Sequence, residues 1–132
     1  MKVRLLLLGM VLVTACASPR PQAPGSSVTV WSSSELNARK REMHGAEVVV
    51  DAYLVHEPEN YSLWDNKQAQ STGKSSSCIS LIYPKNLAAA VRKANRQQVQ
   101  LRGTFVQNVT ADGGLHLGLC NYTGLRVAEI LR

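Results

Sequence analysis

The chain has no apolar run long enough to cross a bilayer. Its sustained one, Leu5 to Val13, holds nine residues and would rise roughly 13 Å as a helix, against a hydrocarbon core about 30 Å thick. Cysteine is scarce, at 3, and none stand in a C-x-x-C pair, so a thioredoxin-like redox motif is absent. His44, His56 and His116 show no metal-ligand spacing, and no internal repeat is apparent. With 45% hydrophobic and 18% charged residues, the composition excludes collagen, a disordered polyelectrolyte and a polytopic membrane protein.

Catalytic motifs begin and stop short. Gly73-Lys74-Ser75 ends like a phosphate-binding loop, but Gln68 holds the earlier glycine position. His56-Glu57 starts like a zinc-protease motif, yet Pro58 breaks the helix and Asn60 replaces the second histidine. Ser71-Thr72-Gly73-Lys74 has a serine-lysine spacing with no S-D-N or K-T-G partner. Glu57 and Glu59 read as a solvated turn. No catalytic residue, metal or diffusible cofactor is expected; an enzyme of unrecognised type is the alternative.

What is present at the amino end is ordered: Lys2 and Arg4, then Leu5 to Val13, then small residues before Cys16, the three parts of an export signal. Val13-Thr14-Ala15-Cys16 resembles the lipobox of bacterial lipoproteins. The resemblance implies that residues 1–15 are removed and that Cys16 carries thioether-linked diacylglycerol and an acylated amine. Each buried methylene of such chains adds ~0.8 kcal/mol of anchoring. Ala17, where many inner-membrane lipoproteins carry Asp, points to the outer membrane, facing the periplasm. The bland alternative is a plain secretory signal with a chance cysteine. Removing residues 1–15 subtracts two cations and no acid from a net charge of +6. The remaining surplus is too mild for a nucleic-acid binder, and none is expected as partner.

Ala17 to Ser27 has three prolines and a glycine in eleven residues and reads as a tether reaching at most ~35 Å, so 16–27 is lipidated cysteine plus tether and 28–132 is the domain. Ser32 and Glu35 have capping-box spacing, and Trp31 with Leu36 the spacing of a hydrophobic staple, which predicts a helix from Ser33 to Met43, left at Gly45. Arg39-Lys40-Arg41 suits its last turns; anionic lipid headgroups or lipopolysaccharide are the alternative partner of these three cations. From Glu47 the period changes to two. Val48, Val50, Ala52 and Leu54 share the core face of a strand ending near Val55, Tyr61 to Trp64 is a second strand and Cys78 to Tyr83 a third. Residues 65–77 read as a flexible loop. Pro84 opens a helix with the stripe Leu87, Ala90, Val91 and Ala94. Gln98 to Val106 alternates with Val99, Leu101, Gly103 and Phe105 inward; Leu115, Leu117 and Leu119 alternate after a turn, and Leu125 to Leu131 is the last strand.

This order is mainly β and resembles small OB-fold domains of bacterial envelope proteins. It implies an OB-fold-like antiparallel barrel with a helix between strands 3 and 4 and a short N-terminal helix. The resemblance rests on Gly45-Ala46-Glu47-Val48-Val49-Val50, the Pro84 to Asn95 helix and Val99 to Phe105; an open sheet with one packed helix is the alternative. Two remaining thiols in an exported domain read as one disulfide, and the resemblance sets the third and last strands side by side, so that Cys78 and Cys120 could meet. It also places Tyr61, Trp64 and Tyr83 near the face where such barrels bind, although each also suits the core or its rim. The expected function is a non-catalytic binding module taking an envelope protein, peptide or glycan. A structural component of an envelope assembly is the alternative.

Overall fold

Strands form where the two-residue alternation is longest. The computed structural model describes residues 27–111 and 113–132, so the expected signal segment, Cys16 and nearly all of the tether lie outside the described residues. The elements in order are β1 (Val30–Trp31), α1 (Ser33–Ala38), α2 (Lys40–Met43), β2 (Glu47–Glu57), β3 (Asn60–Trp64), α3 (Lys67–Thr72), β4 (Cys78–Ile82), α4 (Ala88–Lys93), β5 (Gln97–Val106) and β6 (Gly124–Ile130). Single 3-10 turns at Ser75–Ser77 and Lys85–Leu87 lead into β4 and α4.

β2 is long enough to serve two neighbours on one edge and one on the other. Its carboxyl half pairs with β3, its first half pairs in parallel with β1, and its opposite edge runs antiparallel to β5 from Glu47 to Leu54. The strand order β2-β3-β4-β6-β5 returns to β2 and closes a five-stranded barrel. Four of its pairings are antiparallel; β4 and β6 run parallel, with Ser80 opposite Gly124 and Ile82 opposite Arg126. With α4 between the third and fourth barrel strands, this is a small OB-fold-like barrel.

The face read as core is the core. Val48, Val50, Ala52, Leu54, Val99, Leu101 and Phe105 are buried together with Leu63, Ile79, Leu81 and Leu125. Each of these side chains larger than alanine contributes roughly 1.5–3 kcal/mol on burial. Between Arg102 and Gly103 the β5–β6 register shifts. A Cβ on Gly103 would collide with the Arg126 carbonyl, so glycine is what lets the two strands approach at this bend.

The barrel ends are closed by helices. α1 begins with the capping box: Ser32 N–H donates to Glu35 Oε2 at 2.7 Å and Glu35 N–H to Ser32 Oγ at 3.2 Å. It inserts Leu36 into the core, while Ser33 Oγ donates to the Leu63 carbonyl and Asn37 Nδ2 to the Cys78 carbonyl, at 2.8 and 2.9 Å. At the other end α4 buries Val91, and Asn95 Oδ1 accepts from His56 N–H at 2.8 Å.

Four expectations are corrected. The Ser33 to Met43 helix is broken at Arg39, whose φ of −115° and ψ of 25° leave the helical region. The Pro84 helix opens as a 3-10 turn and becomes α only at Ala88. Residues 65–77 are not a loop throughout: Asn66 Oδ1 caps α3 by accepting from Ala69 N–H at 2.8 Å, and Gly73, at φ 68°, ends it. The polar residues that suggest flexibility are this helix's capping chemistry. Leu115, Leu117 and Leu119 form no strand but belong to the long connection between β5 and β6. The outer face of β2 is also covered around Tyr53 and Val55, which are buried. These pack with Trp64, Cys78, Cys120 and Ala69 of α3 in a second cluster outside the barrel.

Candidate binding groove

The outer face of β3 and β4 carries Asn60, Ser62, Ser80 and Ile82, with Ser62 directly opposite Ser80. Small and polar side chains leave the face low. On its flank the β5–β6 connection folds back over the barrel and raises a wall of Leu115, Leu117 and Leu119, and between wall and sheet runs a groove of about 620 Å³. That lies within the about 300–1,000 Å³ common for ligand sites. The three leucines are 83%, 40% and 44% exposed. Apolar side chains gathered on one exposed loop mark an interaction site more often than a solvated surface.

The loop that bears them is pinned at several points. Val109 is buried, its N–H donates to the Tyr122 carbonyl at 2.7 Å, and its own carbonyl accepts from Gly114 N–H at 2.8 Å. His116 Nε2 donates to the Cys120 carbonyl at 2.8 Å, and its ring stacks on Tyr122 with centroids 4.1 Å apart. Cys120 is disulfide-bonded to Cys78 on β4, with Cα atoms 5.1 Å apart. The pairing anticipated from the cysteine count is therefore present, but Cys120 stands in the loop before β6, not in the last strand. The disulfide fixes the leucine wall to the groove floor.

At the far end of the groove lie Tyr61 and Tyr83, rings edge-to-face at 6.3 Å. His56 joins them: its Nε2 lies 2.6 Å from the Tyr83 hydroxyl, and its ring centroid is 4.8 Å from that of Tyr61. The β2–β3 turn, Pro58-Glu59, closes this end, with Glu59 at φ 60°. Among the described lining residues, Glu59 is the only formally charged one.

Of the residues singled out in the sequence, Tyr61 and Tyr83 come together in the groove. Trp64 does not: it is 3% exposed in the second cluster, and its Nε1–H donates to Ser62 Oγ at 2.9 Å. The three leucines, His56 and Glu59 escaped the sequence reading as site residues. The signal for the leucines was present as alternation, but alternation alone does not separate a buried strand from an extended loop. Of Arg39-Lys40-Arg41, Arg39 pairs with Glu42 and lies over the Trp31 ring, 5.0 Å from its centroid. That guanidinium holds the Glu42 carboxyl below its ordinary value, chiefly by hydrogen bonding. Among the described residues no group of three or more His, Cys, Asp or Glu is placed to hold a metal ion.

Compared with protein-family models, curated proteins and solved structures, the chain matches none.

Proposed function

We propose that this protein is a non-catalytic binding module, tethered through lipid on Cys16 to the outer membrane and facing the periplasm, with the β3–β4 groove as its binding site. The observation that carries the reading is the leucine wall. Exposing three leucines on a loop costs solubility and folding free energy, yet the loop is braced by a disulfide, a buried valine and a stacked histidine instead of collapsing onto the barrel. Support also comes from position. The groove occupies the second and third barrel strands and the adjoining turns, the surface that OB-type barrels use for ligands. The lipobox resemblance at Val13 to Cys16 supports the anchor, and the tether of 17–27 would hold the groove some tens of ångströms from the membrane.

Two measurements test the two halves of this reading. Radiolabelled palmitate should enter the wild-type protein and not Cys16→Ser; incorporation in both would refute the lipid assignment. A photo-reactive benzoylphenylalanine placed at Leu117 in cells should give a discrete adduct that the same residue at Lys93, on α4, does not. Equal labelling from both positions, or none from Leu117, would contradict the groove as the site.

A further inference from the structure

We infer that the groove takes an extended peptide of a partner protein, added as a strand along Leu115–Leu117, with a lysine or arginine set against Glu59. The inference rests on the groove being the binding site and names what fills it. Charge complementarity comes first. The neighbouring Glu57 is paired with Arg96, whereas Glu59 has no ion pair among the described residues and is the only charged group on the described lining. Glu59 lines the same groove as Tyr61 and Tyr83, whose rings meet edge-to-face. A cation there would gain both a charge-assisted hydrogen bond and a tyrosine face, and an anion would be repelled.

The backbone argues for a peptide. Leu115 and Leu117 both reach the groove, the period-two spacing of an extended chain. Among the described residues, no backbone–backbone hydrogen bond reaches the N–H or C=O groups of Leu115 to Leu117, and Gly118, at φ 81°, ends the extended stretch. A strand laid beside this segment would pair them, and its alternate side chains would enter the groove against Leu117, Leu119 and Ile82. An acyl chain would satisfy the leucines but leave Glu59 and these backbone groups without partners. A neutral glycan could stack a C–H face on the tyrosine rings but would bring no cation to Glu59.

The test uses protein purified from cells expressing the full chain and two fluorescein-labelled peptides, blocked at both ends and about six residues long, the span of a strand. One begins with lysine and continues with alternating leucine and threonine; the other has glutamate in place of the lysine. Fluorescence anisotropy should show the lysine peptide binding about tenfold tighter, with a preference that shrinks as salt is added. Glu59→Gln should bring the two peptides within about twofold of each other. Leu117→Ser should weaken both by about tenfold, and circular dichroism should show each variant folded. A wild-type preference near unity, a preference unchanged in Glu59→Gln, or no binding of either peptide at about 1 mM would overturn the inference. The first two outcomes, with Leu117→Ser still weakening both peptides, would leave the groove standing as a peptide site. Absent binding together with a Leu117 adduct in cells would leave the groove standing with a ligand that is no extended peptide.

Discussion

Glu59 has two roles that oppose each other. At φ 60° its Cβ crowds the backbone, which costs about 1 kcal/mol that glycine would not incur. Pro58 before it is locked at negative φ, so the pair has the pattern of a type II turn, where glycine is the ordinary second residue. Glu59→Gly should therefore raise the unfolding free energy measured in urea by up to about 1 kcal/mol while abolishing the lysine preference. A variant that is less stable than wild type would mean that the carboxylate has a structural partner after all. Glu35 offers a second residue-scale test. The Ser32 backbone N–H, then the Ser32 hydroxyl, hold its carboxyl below the ordinary value of 4.5. A folded pKa that is lowered contributes stability in full above the unfolded value, and this is lost as pH falls through the folded one. Stability measured between about pH 5 and 3 should fall less steeply in Glu35→Gln than in wild type. Identical slopes would show that the cap does not titrate.

At the scale of elements, what was legible depended on whether packing was local. The capping box and the core faces of β2 and β5 are written in spacing alone, and the structure keeps them; the helix after Pro84 is kept only from Ala88 onward. α3 is not written that way, because its residues carry no apolar stripe; it exists through Asn66 at its start, Gly73 at its end and Ala69 packed on the outer cluster. Asn66→Ala should cost about 1 kcal/mol and loosen the cover over Trp64, seen as a red shift in tryptophan emission. Unchanged emission and stability would assign α3 to tertiary packing alone. The β5–β6 connection was misread for a related reason: its leucines alternate as in a strand, but they find no strand partner and instead line a groove. One of its links to the barrel is the disulfide, which joins residues 42 apart in sequence. Replacing both cysteines by serine should cost about 4 kcal/mol in the chain-entropy model. It should also speed amide exchange in 113–120 well before the barrel strands open. Uniform exchange across both regions would show that the loop is held without the bond.

For the whole molecule, β2 and β5 were legible through their alternation, and the barrel through the resemblance that the order of elements carries. The groove was not, because it arises from a loop folding back across two strands far from it in sequence, and no local period encodes that return. Trp64 shows the limit well: an aromatic on the expected face is covered by a helix that the composition hid. Gly103 is where closure and sequence meet. Gly103→Ala should destabilise the barrel by at least about 2 kcal/mol, since the clash is with backbone, which cannot turn aside as a side chain would. The account as a whole stands on the groove. An amide-resolved NMR titration of the wild-type protein with the lysine peptide should move resonances of residues 59–62, 80–83 and 113–120 together, leaving α1 and α4 unmoved. Shifts centred on those helices or on the β5–β6 outer face, or no shifts at saturating peptide, would contradict it.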